Sequence, residues 1–334
     1  NMNLIDTVKS GLKTHGYIAS DLISAQIALL LVQQGVRCMV LDGPPGSGKT
    51  FLAKSVANLL GVNYIYTQAH PGSMPEDFLF DINLPRVLRA ASGGEPIQED
   101  DEVWELGFLP QVFLLSQKQV VVAFIDELDK ASSRVDSLFL AALQEGEVIF
   151  KNKKYVCNQN NLILFFTKNK ERELTEPLMR RCRRENLDYP AFEVEMEILC
   201  GIKDDTEPTI IFPPKQENAK VIPAAIAKIL IRLAAEIRRN TEYVKPPASS
   251  ELFMAAQDIM QLNWWGKGSH SEDILKSWYA AYQNDRELIR NSTFSSVASE
   301  CNKICQKMKQ NTNKSNLGNI TLDGENVCNE EGYW

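Results

Sequence analysis

The chain has 334 residues, 44% hydrophobic and 24% charged, enough to bury the core of one large or two ordinary domains. A net charge of −7 and an isoelectric point near 5.3 argue against a broad nucleic-acid-binding surface. The apolar run "IALLLV" at 27–32 falls far short of the roughly 20 residues of a membrane span, and no basic stretch precedes it, so neither a span nor a leader peptide is expected. Seven cysteines stand at 38, 157, 182, 200, 301, 305 and 328 with no close C-x-x-C pair, which suits free thiols in a reducing cytoplasm better than a metal centre.

Leu22, Ile23, Ile27, Leu30 and Leu31 recur at helical spacing behind a Ser20 or Asp21 cap, and Gly35 ends the helix. "RCMVLDG" (37–43) reads as a buried strand, 50–61 as a helix closed by Gly61, and "NYIYTQ" (63–68) as a second strand. From Pro71 to Gly107 the pattern loosens around a Gly pair, an acidic cluster and Trp104, an insertion between core elements at about 72–108. A helical stretch at 108–116 then leads into the strand "VVVAFID", followed by a helix at 133–144. "EVIFKNKKYVC" reads as a hairpin turning at Lys151 to Lys153, and "NLILFFT" (161–167) is another buried strand.

After "LDYP" (187–190) the alternation stops and helices are expected at 192–201, 222–239, 249–262 and 272–289. The expected fold is α/β: a P-loop NTPase parallel sheet with helices on both faces over 1–190, followed by a helical lid over 191–290. Residues 291–334 are polar and expected to form an extension, weakly anchored from 311 onward.

"GPPGSGKT" matches G-x-x-x-x-G-K-[ST] between a predicted strand and a predicted helix, the context that gives the motif its meaning. Gly43, Pro44, Pro45, Gly46, Ser47, Gly48, Lys49, Thr50 and the adjoining Phe51 are therefore the candidate nucleotide-binding residues. Lys49 is expected to reach the β- and γ-phosphates and the Thr50 hydroxyl to ligate magnesium. No N-K-x-D guanine signature accompanies the loop, which favours ATP.

Asp126 and Glu127 end the apolar run "VVVAFID", and a carboxylate at the carboxyl end of a buried parallel strand emerges where ligands sit in open α/β folds. Asp126 is expected to hold magnesium opposite Thr50, and Glu127 to accept a proton from the attacking water. Asn169, with Thr167 second, is the polar residue expected to touch the γ-phosphate or that water. Arg180, Arg181, Arg183 and Arg184 form a basic segment poorly suited to the core of their own subunit, from which a guanidinium could serve a neighbouring subunit's site.

Taken together, "GPPGSGKT", "FIDELDKA", "LFLAALQEGEV", "FFTKNK", "LTEPLMRRC" and "LDYP" resemble the AAA+ superfamily of P-loop ATPases, and within it the MoxR-like branch with its CbbQ/NorQ-type members, over about 15–260. By that resemblance Asn169 falls on the first sensor and Arg181 on the interface arginine, with Cys182 where most relatives carry an aromatic. The resemblance implies a homo-oligomeric ring, a hexamer, hydrolysing ATP with Mg2+ and remodelling a partner protein, which in this branch often carries a von Willebrand A domain. It also implies that the 72–108 insert and the 147–157 hairpin face a central pore, which Lys151, Lys153 and Lys154 would line. Ser250 occupies the position where the second-sensor arginine commonly stands, so Arg238 or Lys245 would have to substitute or the coupling to the lid would differ. The rival expectations are a nucleic-acid motor of a restriction or defence system and a nucleotide-gated scaffold with little turnover.

Overall fold

In the computed structural model the described residues are 3–93, 103–203, 208–209, 222–240, 242–280, 285 and 291–318. They divide into two compact units, Asn1–Val194 and Glu195–Trp334.

In the first unit five parallel strands lie in the order β2 (Asn63–Gln68), β5 (Val121–Asp126), β8 (Leu162–Lys168), β1 (Arg37–Asp42) and β9 (Arg183–Asn186). β1, β5 and β8 are apolar at every second position in both phases, as strands covered on two faces must be. Cys38, Val40, Val121, Ala123, Ile125, Leu164 and Phe166 point to one face, against α5 (Phe108–Ser116) and α6 (Ser133–Glu145). Met39, Leu41, Val122, Phe124, Ile163 and Phe165 point to the other, against α1 (Leu4–Thr14), α2 (Asp21–Val32) and α3 (Lys49–Leu60). The α1 helix lies ahead of every element that the sequence pattern marks.

The parallel register brings all carboxyl ends to one edge: Asp42 lies beside Lys168, and Gln68 beside Asp126. The same register places Cys182 next to Cys38, because Arg183 pairs with Met39 one position on. These two cysteines form a disulfide across 144 residues, which corrects the expectation of free thiols throughout. Cys157, Cys301 and Cys305 are free thiols.

Within the insert, β3 (Phe80–Ile82) and β4 (Trp104–Leu106) pair antiparallel, with α4 (Leu84–Ala91) between them. A second hairpin, β6 (Glu147–Phe150) with β7 (Lys153–Val156), turns on only Lys151 and Asn152, one residue tighter than expected. Both turn residues have positive φ, 46° and 59°, the handedness that matches the twist of a two-residue hairpin. Phe80 stacks on Phe150 at 4.6 Å and meets Trp104 edge-on at 4.8 Å, joining the two hairpins.

A short helix, α7 (Glu176–Met179), precedes β9, and α8 (Phe192–Cys200) leads into the second unit. A two-stranded ribbon follows, β10 (Ile202–Lys203) with β11 (Pro208–Thr209), and then α9 (Ala224–Arg239), α10 (Ser249–Trp264), α11 (Ser271–Tyr279) and α12 (Asn291–Gly318). The helix expected over 272–289 ends at Tyr279, and most of 281–290 lies outside the described residues. Residues 291–318 are helical, and Phe294, Ala298 and Cys301 are fully or nearly buried with α9, α10 and α11. Average polarity hides this stripe because the buried positions are few and separated by polar residues. No helix among the described residues is long and apolar enough to cross a membrane.

Replacing the fully buried Phe294 by alanine is expected to cost about 3–5 kcal/mol, measured as a lower chemical-denaturation midpoint. An unchanged midpoint would mean that α12 does not belong to the second core.

Candidate functional site

The phosphate loop follows β1 at the edge where the strands end. Gly43 has φ +145°, and a Cβ there would lie 2.1 Å from the Leu187 carbonyl oxygen, so no other residue fits without moving the backbone. Gly46 and Gly48 also take positive φ, 77° and 91°. No side chain caps α3, whose first turn presents backbone N–H groups and the positive end of its dipole to the loop. The buried Ser47 hydroxyl has no hydrogen-bond partner, Lys49 is buried at the helix start, and Thr50 is exposed. An anion-shaped cradle with a cation, an orphaned donor and free helix-end amides fits the phosphates of a nucleotide.

Lys49 uses all three ammonium hydrogens, donating to the Gly43 and Pro44 carbonyls at 2.6 and 2.9 Å and to Asn169 Oδ1 at 2.7 Å. Asn169 Nδ2 in turn donates to Glu127 Oε1 at 3.1 Å. The amide can face only this way, since its oxygen must meet the lysine and its nitrogen the carboxylate. A continuous chain thus links the phosphate loop to the acidic strand end. Burial lowers the Lys49 pKa, against the pull of Asp126, Asp42, Asp129 and Glu127.

Glu127 has φ +52°, an uncommon conformation for a residue with a side chain, at the turn directly after β5. Its backbone N–H donates to Thr167 Oγ1 at 2.7 Å, and the same hydroxyl donates to Asp126 Oδ1 at 2.5 Å. Thr167 is fully buried on β8, so its role is to clamp the neighbouring strand end rather than to meet a ligand. Glu127 Oε2 accepts from Gln68 Nε2 at 2.6 Å and from Lys130 Nζ at 2.8 Å. Burial would raise the Glu127 pKa, but hydrogen bonds from Lys130 and Gln68, with the charges of Lys130 and Lys49, outweigh it and hold the pKa below the ordinary value.

Asp129 and Asp136 hold the loop after β8. Asp129 Oδ2 accepts from the N–H groups of Asn169 and Glu171 at 2.8 and 2.9 Å. Asp136, fully buried on α6, takes both ends of the Arg172 guanidinium at 2.6 and 2.9 Å. That bidentate pair raises the Arg172 pKa.

Lys49, Asp126, Glu127 and Asn169 are brought together, whereas Arg181 stands apart on the exposed turn after α7, donating to the Pro177 carbonyl at 3.0 Å. Arg183 departs from the expectation for its segment: it donates to Gln33, just past the end of α2, and to Gln26 of α2 at 3.1 and 3.5 Å and so serves its own subunit. In the second unit, Arg238 makes a bidentate ion pair with buried Glu195 at 2.8 Å, Ser249 donates to the same carboxylate at 2.6 Å, and Lys245 pairs with Glu251 at 2.8 Å. The two cations named as substitutes for a second-sensor arginine are thus engaged with carboxylates of that unit, while Ser250 is exposed.

Sequence reasoning missed Gln68, Lys130 and Asp129. Lys130 and Asp129 lie in the motif itself, three and two residues past Glu127, but Gln68 becomes a neighbour only through the β2–β5 pairing.

Residues 38–182 match the AAA domain of the dynein-related subfamily. The chain is 25% identical over 234 residues to an AAA ATPase forming ring-shaped complexes from Corynebacterium urealyticum, covering 65% of this chain and 41% of that protein. Over 129 residues it is 32% identical to the ATP-dependent zinc metalloprotease FtsH of Mycoplasmoides gallisepticum, covering 35% and 16%. Over 216 residues it is 24% identical to the proteasome-associated ATPase of Mycobacterium ulcerans, covering 60% and 34%. The chain therefore spans less than half the length of these curated relatives. The family match and the ring-forming relative both point to the AAA+ ATPase superfamily, and the matched segment contains every residue of the Lys49–Asn169–Glu127 chain.

Thr167→Val is expected to strand the Glu127 N–H and the Asp126 carboxylate, costing about 1–3 kcal/mol in chemical denaturation. An unaltered denaturation curve would show that the clamp carries no stability.

Proposed function

We propose that this protein is an ATP-hydrolysing ring subunit of MoxR-like type that remodels a partner protein. The observation that carries the catalytic half is the hydrogen-bonded chain from Lys49 through Asn169 to Glu127, which ties the phosphate loop to a carboxylate one residue beyond Asp126. ATP phosphates would be held by the backbone N–H groups of the loop from Gly43 to Phe51 and by Lys49. Thr50 and Asp126 would hold Mg2+, which when bound neutralises phosphate charge. Glu127 takes the proton of the attacking water, and Asn169, already donating to Glu127, orients that water. Arg181, exposed in its own subunit, is the guanidinium offered to a neighbour's γ-phosphate across the ring interface.

The ring rests on the likeness to a relative described as forming ring-shaped complexes, and the MoxR-like assignment on the motifs and the insert between β2 and β5. A hexamer and a partner with a von Willebrand A domain follow from that branch. The nucleic-acid motor is the weaker reading: Lys151 lies over the Trp104 ring at 4.9 Å and Lys154 pairs with Glu147, so these two hairpin lysines have partners within the chain.

Glu127→Gln is expected to lower turnover by about 100-fold or more while ATP still binds and the oligomer persists, measured by phosphate release, nucleotide affinity and sedimentation. Loss of ATP binding in that variant would contradict the role. Arg181→Ala is expected to lower turnover to a similar level without weakening ATP affinity, and mixing it with the Glu127→Gln variant should restore partial activity, because each supplies what the other lacks across an interface. No recovery in the mixture would remove Arg181 from the neighbour's site.

A further inference from the structure

The motif "FIDELDKA" contains one cation, Lys130, to which the proposed reaction assigns no task. Its ammonium reaches back three residues to Glu127 Oε2 at 2.8 Å, and its backbone N–H donates to the Glu127 carbonyl at 2.9 Å. Both groups are partly buried, with side-chain exposures of 32% and 18%. A surface pair of this spacing would contribute little to stability. Here the pair falls on the carboxylate that also receives Gln68 and Asn169, and the three donors are shared unequally. Oε2 takes the two short bonds, 2.6 Å from Gln68 and 2.8 Å from Lys130, whereas Oε1 takes only the 3.1 Å bond from Asn169.

We propose that Lys130 is a positioning residue for hydrolysis: it pins Glu127 Oε2 and so leaves Oε1, beside Asn169, as the oxygen that faces the attacking water. This inference rests on the reading of Glu127 as the base. The backbone geometry explains why a pin is needed. Glu127 stands at a left-handed turn, outside the regular strand; Thr167 fixes its N–H, but the several rotatable bonds of its side chain are fixed only by the groups that bond the carboxylate. A cation three residues on, held by the short helical turn Leu128–Lys130, reaches the carboxylate from the same chain segment, so strand end and pin move together. Oε2, already accepting two charged or amide donors, is the poorer proton acceptor; Oε1 retains the open lone pair. Misplacing a reacting group by about 1 Å can cost roughly 100-fold in rate, so a residue that fixes a carboxylate rotamer without touching substrate can still matter to turnover.

The test uses the full-length assembled protein. Lys130→Met keeps the aliphatic stem and removes the ammonium, and Lys130→Arg keeps a cation. The expected result for Lys130→Met is a fall in kcat of about 10- to 100-fold, with KM, affinity for a fluorescent ATP analogue and oligomeric state unchanged, and with Lys130→Arg regaining a substantial part of the loss. An unchanged or increased kcat in Lys130→Met would overturn the inference, as would parallel losses of kcat and ATP affinity, which would mean that the residue supports the strand end as a whole. Glu127→Gln separates this failure from failure of the underlying reading. If Glu127→Gln turns over like the unaltered protein, Glu127 is not the base; if it is inactive while Lys130→Met is fully active, only the role of Lys130 falls.

Discussion

The buried ammonium of Lys49 is the point on which the site is organised. A cation removed from water requires compensation at each hydrogen, and the fold supplies it from two loop carbonyls and one amide oxygen. That need holds the phosphate loop in its curled form and draws Asn169 from the end of β8 toward the loop. Asn169 then has its nitrogen turned to Glu127, so one buried charge sets the orientation of groups on three separate elements. The arrangement is poised, because a phosphate oxygen entering the loop offers the lysine the same kind of acceptor it now finds in protein oxygens.

The surrounding carboxylates divide into those that build and those left facing the loop. Asp129 and Asp136 are buried and occupied with backbone amides and with Arg172, and they fix the path of residues 169–175. Asp42 meets Lys168 at 3.0 Å across the β1–β8 pairing, which ties the strand ahead of the loop to the strand ahead of Asn169. The Lys168 pKa is raised: burial opposes its charge, and the bonds to Glu173 and Asp42 prevail. Asp126 and Glu127 stand at the edge, where Thr167, Tyr66, Gln68, Asn169 and Lys130 contact them.

The second unit shows the same economy in a different setting. Glu195, Arg238 and Ser249 form a buried, mutually satisfied polar cluster inside a helical core, an arrangement in which removing either Glu195 or Arg238 leaves the other's charge without compensation. A guanidinium so engaged stabilises its own unit. The arginine count near a lid thus says little about function until each partner is known.

The sequence by itself determined the two-faced strands, the phosphate loop and the paired acids, because those signals are local: period-two apolar runs, a glycine spacing that only one backbone path tolerates, and carboxylates at a strand end. It did not mark the helix at 291–318, where Phe294, Ala298 and Cys301 are buried among mostly polar neighbours, nor α1, where only Val8 and Leu12 are buried. Tertiary structure alone decided the rest. Sheet order brings Gln68 beside Asp126 and Cys182 beside Cys38, pairings that join residues 58 and 144 positions apart. It also separated the arginines of one short segment: Arg183, on β9, turns to Gln26 of α2 and to Gln33 just past it, whereas Arg181, on the turn ahead of the strand, is exposed.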